Sequence, residues 1–332
     1  MKIVFFGTPE FAVPSLDAVL AVGEVVAVVT RADRPRGRGL RVEPPPVARA
    51  ANEYALEVLQ PETLRDPAFI SRLRDLAPDI GVLVAYGRLV PADVLTIPPR
   101  GIVNVHPSLL PRYRGAAPIP RAIAAGDTET GVTILYLSGE LDAGDIILER
   151  PVPIAPDDTT RTLTPRLAEE GAALLTEALN LIEAGRAPRR PQDASQATWA
   201  PRFTREDAAI DWRRPASAIV NLVRACDPWP GAFTYVRDRG GAPQELKIWR
   251  AAAAAVPGGA HASPPGTILR LPTDDRVPLV VASGDGAVLA HEVQPAAGRR
   301  MTAGAYARGH ALETGAVLGS PPPPGDAPAS RA

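Results

Sequence analysis

Lys2-Ile3-Val4-Phe5-Phe6-Gly7-Thr8-Pro9-Glu10-Phe11-Ala12 begins as an unbroken apolar run, stops at a glycine and passes into an amphipathic segment. A run with no polar alternation is the pattern of a strand covered on both faces. Residues 24–30, 79–85 and 101–105 repeat it, and residues 11–22, 46–54 and 67–76 read as helices between them. Strand alternating with helix argues for an α/β domain with a parallel, doubly wound sheet. Such sheets bind ligands beyond the carboxyl ends of their strands, so the loops there carry the functional reading.

Two of those loops are unusual. Thr8-Pro9-Glu10-Phe11 follows the first strand and lacks the glycines of a dinucleotide fingerprint, which argues against a nicotinamide cofactor. Residues 31–46 follow the second strand and form a long connection where 2–6 residues are typical. From Arg31 to Arg41 this loop holds five arginines against one acid, Asp33. Gly37 and Gly39 would let it approach a nucleic-acid backbone closely.

The chain has 332 residues, enough for two cores, and a formal net charge of -1. Bulk charge therefore does not signal a nucleic-acid partner, and any RNA contact must come from a local patch such as the arginine loop. Only Lys2 and Lys247 are lysines, so arginine carries nearly all the positive charge. A single cysteine, Cys226, excludes an intramolecular disulfide and any multi-cysteine metal site, and reads as a buried small hydrophobe. No basic and apolar leader precedes the first strand, and no apolar stretch approaches the roughly 20 residues of a membrane span. A soluble, cytoplasmic protein is expected, with no membrane partner.

Residues 160–183 read as one long helix, and residues 185–200, rich in Pro, Arg, Gln and Ser, as a linker. Beyond them short strands at 246–249, 267–271, 279–282 and 287–292 are broken by Gly, Pro and Asp turns, which suggests a small barrel. Trp212 and Trp229 are expected in its core or in linker packing. Residues 320–332 carry four consecutive prolines and read as disordered. The expected boundaries are 1–189, a linker at 190–205, 206–317, and a tail at 318–332.

The stretch Asn104-Val105-His106-Pro107-Ser108-Leu109-Leu110-Pro111-Arg112-Tyr113-Arg114-Gly115 carries the chemistry. Asn104 and His106 are two apart at a strand end, so they project from one face. About 35 residues on, Leu141-Asp142-Ala143-Gly144-Asp145 forms a turn that holds a carboxylate. Amide, imidazole and carboxylate together suit acyl transfer to an amine. The tetrahedral oxyanion needs donors, which Asn and protonated His supply. The ammonium that forms must lose a proton, which His or Asp can accept.

This segment resembles the signature of the folate-dependent formyltransferases, whose catalytic Asn, His and Asp match Asn104, His106 and Asp142 in order and spacing. Phe6-Gly7-Thr8-Pro9-Glu10-Phe11-Ala12, Asp33-Arg34-Pro35-Arg36-Gly37-Arg38-Gly39, Ala209-Ile210-Asp211-Trp212 and Asp227-Pro228-Trp229-Pro230-Gly231-Ala232 resemble the branch of that family that acts on an aminoacylated tRNA. The resemblance implies a Rossmann-like formyltransferase domain with a mostly parallel sheet, followed by an OB-fold-like β-barrel. It implies 10-formyltetrahydrofolate as formyl donor and no metal. The acceptor it implies is the α-amine of methionyl initiator tRNA, with a nucleotide-linked amino sugar as the alternative. It favours Asp142 over Asp145 as the working acid, and it gives the backbone of Ser108, Leu109, Leu110 and Pro111 a part in the folate site. It also brings Arg34, Arg36, Arg38 and Arg41 to the tRNA, Arg38 matching the key arginine of the loop. A monomer is expected.

Overall fold

In the computed structural model, which describes residues 1–36, 41–237, 242–255, 263–310 and 312–319, the opening apolar run is strand β1 (Lys2–Gly7). Its last five residues carry the buried face-to-face pattern expected of a central strand. Helix α1 (Val13–Val22) follows with a proline in its first turn and ends at Gly23. Next come β2 (Glu24–Val29), then β3 (Arg34–Arg36) and β4 (Arg41–Glu43), which pair as an antiparallel hairpin within the long arginine loop. The alternation continues through α2 (Pro46–Glu53), β5 (Val58–Leu59), α3 (Pro67–Asp75), β6 (Ile80–Val84), α4 (Ala92–Leu95) and β7 (Ile102–His106). At the start of α3 the Asp66 side chain accepts from the Ala68 N–H at 2.9 Å and Pro67 opens the helix, which is the helix expected over 67–76. Then follow α5 (Pro118–Ala125), β8 (Glu129–Tyr136), β9 (Ile146–Pro153) and α6 (Thr160–Glu183).

One seven-stranded sheet runs β5-β2-β1-β6-β7-β8-β9. The pairs from β5 to β7 are parallel, while β7–β8 and β8–β9 are antiparallel. The chain winds outward from β1 to β5 and then restarts beside β1 at β6, which makes the carboxyl ends of β1 and β6 the switch point where such sheets open a crevice. β7, which carries Asn104 and His106, is the next strand along. Helix α6 buries a stripe that includes Leu163, Leu167, Gly171, Leu174, Leu175 and Ala178, at the three-and-four spacing of one helix face, and Gly171 of that stripe meets β7. Gly171 is required there, since a Cβ would lie 2.9 Å from Cγ1 of Val105, the residue between Asn104 and His106.

The chain divides into two compact units. The first comprises Met1–Ile119, Glu129–Ile154 and Thr162–Arg202; the second takes Pro120–Thr128, Ala155–Arg161 and the residues from Phe203 onward. The segment read as a linker is bonded into the first unit. The backbone of Arg190 exchanges hydrogen bonds with Ile146 at 2.8 and 3.0 Å. The Arg114 N–H donates to the Thr198 carbonyl at 2.8 Å and the Ala200 N–H to the Arg114 carbonyl at 2.7 Å. The segment's composition reads as a linker, and its backbone groups have specific partners.

In the second unit, α7 (Ala216–Ala225) precedes β10 (Ala232–Arg237), β11 (Pro243–Ala254), β12 (Ile268–Arg270), β13 (Leu279–Ala282), β14 (Ala287–Pro295), β15 (Met301–Thr302) and α8 (Ala303–Gly309). The sheet order is β10-β11-β14-β13-β12 with β15 beside β14, all antiparallel, and it curls into a half-barrel. Residues at 315–319 bridge its two ends. The Leu318 N–H donates to the Gly266 carbonyl, and the backbones of Gly319 and Tyr235 exchange hydrogen bonds at 2.8 and 3.2 Å. Pairing both edges leaves fewer open strand groups for intermolecular contact. Leu318, assigned from sequence to the tail, is 2 % exposed, and residues 320–332 lie outside the described ones.

Trp212 is buried, and its indole N–H donates to Thr234 Oγ1 at 3.0 Å. Trp229 departs from expectation, being 61 % exposed between Pro228 and Pro230 in the turn from α7 to β10. Cys226 is fully buried, and burial pushes its thiol up to about 12. Among the described residues no helix is long and apolar enough to cross a membrane.

Candidate active site

Asn104 and His106 are the third and fifth residues of β7, both buried and both on the face that period-two alternation assigns them. Asp142 reaches them from the turn between β8 and β9. Its carboxylate is shared three ways. Oδ1 accepts from Asn104 Nδ2 at 3.3 Å, Oδ2 accepts from the Gly115 N–H at 2.9 Å, and Oδ2 also lies 3.6 Å from His106 Nδ1. The three side chains come together although 38 residues separate Asn104 from Asp142.

The His106 ring is oriented from its other nitrogen. Nε2 lies 3.0 Å from the Tyr113 carbonyl oxygen, which can only accept, so Nε2 carries a hydrogen. The nitrogen that gains or loses a proton is therefore Nδ1, the one facing Asp142. Asn104 Nδ2 bears two hydrogens; one serves Asp142, and Asn104 also lines an adjacent cavity toward which the second can be used.

The backbone around the site is shaped to make these approaches. Asp142 has φ +52 and Tyr113 φ +61, left-handed values that cost a non-glycine residue on the order of 1–2 kcal/mol. Gly144 admits no side chain, since a Cβ would sit 1.8 Å from the Tyr136 carbonyl oxygen. Asp145, the competing acid, points elsewhere and lies 3.6 Å from Arg189.

The cavity beside the triad has a volume of about 410 Å³, within the range of small-molecule sites. Leu83, Val90, Leu95 and Leu137 line it with Asn104 and Asp142, and so do Leu89 and Leu141, two large apolar residues exposed at 75 and 43 %. A largely apolar enclosure ending on a few polar groups is the form of a small-molecule site. A larger cleft, of about 500 Å³, lies near Asp79 at the opposite, amino end of β6 and includes none of the three site residues.

Ser108, Leu109, Leu110 and Pro111 do not line the 410 Å³ cavity. Ser108 is fully buried, with its hydroxyl donating to the Arg112 carbonyl at 2.7 Å, and Leu110 packs with Leu135 and Ile146. Leu109 and Pro111 keep partial exposure. Thr133 Oγ1 holds this turn by accepting from the Leu110 N–H and donating to the Ser108 carbonyl. Arg34, Arg36 and Arg41 sit on the β3–β4 hairpin, where the backbone alone is described, and Arg38 lies outside the described residues.

Two features of the site have no sequence signal of their own. The cavity walls at 88–92, 95 and 137–141 come from unremarkable apolar and turn residues. Gln192, in the segment read as a linker, bonds to the turn that carries Asp142.

Comparison with known proteins agrees with this geometry. A family model described as formyl transferase matches residues 1–179, and one described as formyl transferase, C-terminal domain, matches residues 202–311. The chain is 48 % identical over 326 residues to the methionyl-tRNA formyltransferase of Heliobacterium modesticaldum, covering 96 % of this chain and 100 % of that one. It is 46 % identical over 323 residues to the enzyme of the same name from Moorella thermoacetica, covering 96 and 99 %. Among solved structures, an N-formyltransferase from Helicobacter canadensis in complex with folinic acid and dTDP-3-aminofucose has the same fold, with a TM-score of 0.63 at 17 % identity over 87 % of this chain and 99 % of that one. With both domains matched and nearly half its residues identical to these enzymes along almost its whole length, the chain belongs to the methionyl-tRNA formyltransferase family.

Proposed function

We propose that the protein transfers the formyl group of 10-formyltetrahydrofolate to the free α-amino group of methionyl initiator tRNA, in the cytoplasm and as a monomer. The observation that carries this reading is the meeting of Asn104, His106 and Asp142 beside a small-molecule cavity, in a chain that matches relatives named methionyl-tRNA formyltransferase along 96 % of its length. The bound folate supplies a formyl carbon attached to a nitrogen leaving group.

The residues then divide the work. The second Asn104 amide hydrogen and the positive charge of protonated His106 stabilise the oxyanion formed when the amine attacks, a single such donor being worth about 3 kcal/mol in other acyl-transfer sites. Asp142 orients His106 or a water and helps remove the proton that the attacking amine loses; when the oxyanion collapses, the bond between the formyl carbon and the folate nitrogen breaks and that nitrogen takes up a proton in return, which restores the carboxylate. Cavity residues 88–92, 95 and 137–142 hold the folate ring, and the backbone of Ser108, Leu109, Leu110 and Pro111, just after His106, supports the cosubstrate next to it. Arg34, Arg36, Arg38 and Arg41 contact phosphates near the acceptor end of the tRNA, where arginine binds bidentately.

Formyl transfer from 10-formyltetrahydrofolate should be measured with charged initiator tRNA, with a nucleotide-linked amino sugar, and with no acceptor. Formylation of the tRNA alone is the expected result. Transfer to the sugar alone, or loss of the formyl group without an acceptor, overturns the reading.

A further inference from the structure

Asp142 is held by its carboxylate and also by its backbone. Gln192 Nε2 donates to the Asp142 carbonyl and to the Gly144 carbonyl, both at 2.8 Å. Gln192 Oε1 accepts from both Nε and Nη2 of Arg114, at 3.1 and 2.7 Å. All four bonds agree on one orientation of the amide, because the two carbonyls can only accept and the guanidinium can only donate. Arg114 is 6 % exposed, so its guanidinium depends on this partner.

The same short segment closes the site from two more sides. The Tyr113 carbonyl takes the His106 Nε2 hydrogen, and the Gly115 N–H binds Asp142 Oδ2. Residues 113–115 thus touch the imidazole, the carboxylate and, through Gln192, the backbone of the turn. That turn needs an external hold, since Asp142 occupies a left-handed conformation. Gln192 is itself anchored through the paired backbones of Arg190 and Ile146.

We propose that Gln192, backed by Arg114, is a positioning residue that holds Asp142 at Asn104 and His106 and so sets turnover without touching either substrate. This inference rests on the role given to Asp142 above. Gln192→Glu separates the two halves of the clamp. A carboxylate still pairs with Arg114, now as an ion pair, but presents no hydrogen to the two carbonyls. Gln192→Leu removes both halves and serves as the second variant.

Steady-state kinetics should be compared for the wild type, Gln192→Glu, Gln192→Leu, Asp142→Asn and the Gln192→Glu/Asp142→Asn double variant, with thermal melts on each. The expected result is a fall in kcat of about tenfold or more in Gln192→Glu, with both KM values within about threefold and the melting temperature kept. In the Asp142→Asn background the second change should cost less than about threefold more, because both act through one carboxylate. Unchanged kcat in Gln192→Glu and Gln192→Leu overturns the proposal, as does a loss that multiplies fully with that of Asp142→Asn. If instead Asp142→Asn itself keeps wild-type kcat, the role of Asp142 falls and this inference falls with it. A loss in Asp142→Asn with none at Gln192 overturns only the clamp.

Discussion

His106 Nδ1 lies 3.6 Å from Asp142 Oδ2, while His106 Nε2 is committed to the Tyr113 carbonyl at 3.0 Å. The separation is longer than a hydrogen bond and short enough for an ion pair when the ring is protonated. Since the Tyr113 carbonyl fixes which nitrogen keeps its hydrogen, any proton exchanged by His106 arrives at or leaves from the side of Asp142. Asn104 completes the group by donating to the other carboxylate oxygen.

Removing either partner of Asp142 or its charge should therefore act on turnover more than on binding. Asp142→Asn is expected to lower kcat by about a hundredfold or more with little change in either KM. Asn104→Ala, which removes the proposed oxyanion donor, should cost about a hundredfold to a thousandfold. Steady-state kinetics in both substrates checks this, and a variant that keeps wild-type kcat loses its assigned role.

The arginine hairpin makes a prediction about salt. Changing Arg34, Arg36, Arg38 and Arg41 together to alanine should weaken tRNA binding and make it less salt-sensitive. If each arginine meets one phosphate, the slope of log affinity against log salt should flatten by about 3. Filter binding across a salt series reads this directly. An unaltered slope would place the phosphate contacts elsewhere on the protein.

In the second unit, Asp227 is 7 % exposed between Arg161 at 2.9 Å and Arg300 at 2.8 Å. Burial pushes its carboxyl up, but the hydrogen bonds and charge of the two guanidinium groups outweigh burial and hold it below the ordinary carboxylate range. A carboxyl depressed on folding contributes stability above its unfolded value, and that contribution is lost as pH falls through its folded one. Asp227→Asn should lower the melting temperature by about 3 °C near neutral pH, with the gap to wild type closing on acidification. An equal gap at neutral and acid pH would assign the effect to shape rather than charge.

Much of the site was legible in the sequence because strand geometry is local. Asn104 and His106 share a face by the alternation of any strand, and the glycines and aspartates of residues 142–145 mark a turn without knowledge of its neighbours. The length of the loop after the second strand signalled something beyond a connection, and a hairpin fills it. The antiparallel strands β8 and β9 were not read, because their buried runs include Gly131 and two prolines that blur the strand pattern. The exposure of Trp229 was also missed, since an apolar aromatic is assigned to a core unless the surrounding turn is known.

By itself the sequence determined the strand and helix alternation, the chemical types available at the site and, through resemblance, the family. These depend on period, propensity and composition, which act between residues a few positions apart. Tertiary structure alone decided that the Asp142 carboxylate is shared among Asn104, Gly115 and His106, that the cavity walls come from 88–92, 95 and 137–141, and that Gln192 bonds to the turn from a segment composed like a linker. Each of those rests on a contact between groups tens of residues apart. A hydrogen bond of about 3 Å forms only when the whole sheet, its crossovers and its left-handed turns have placed donor and acceptor together.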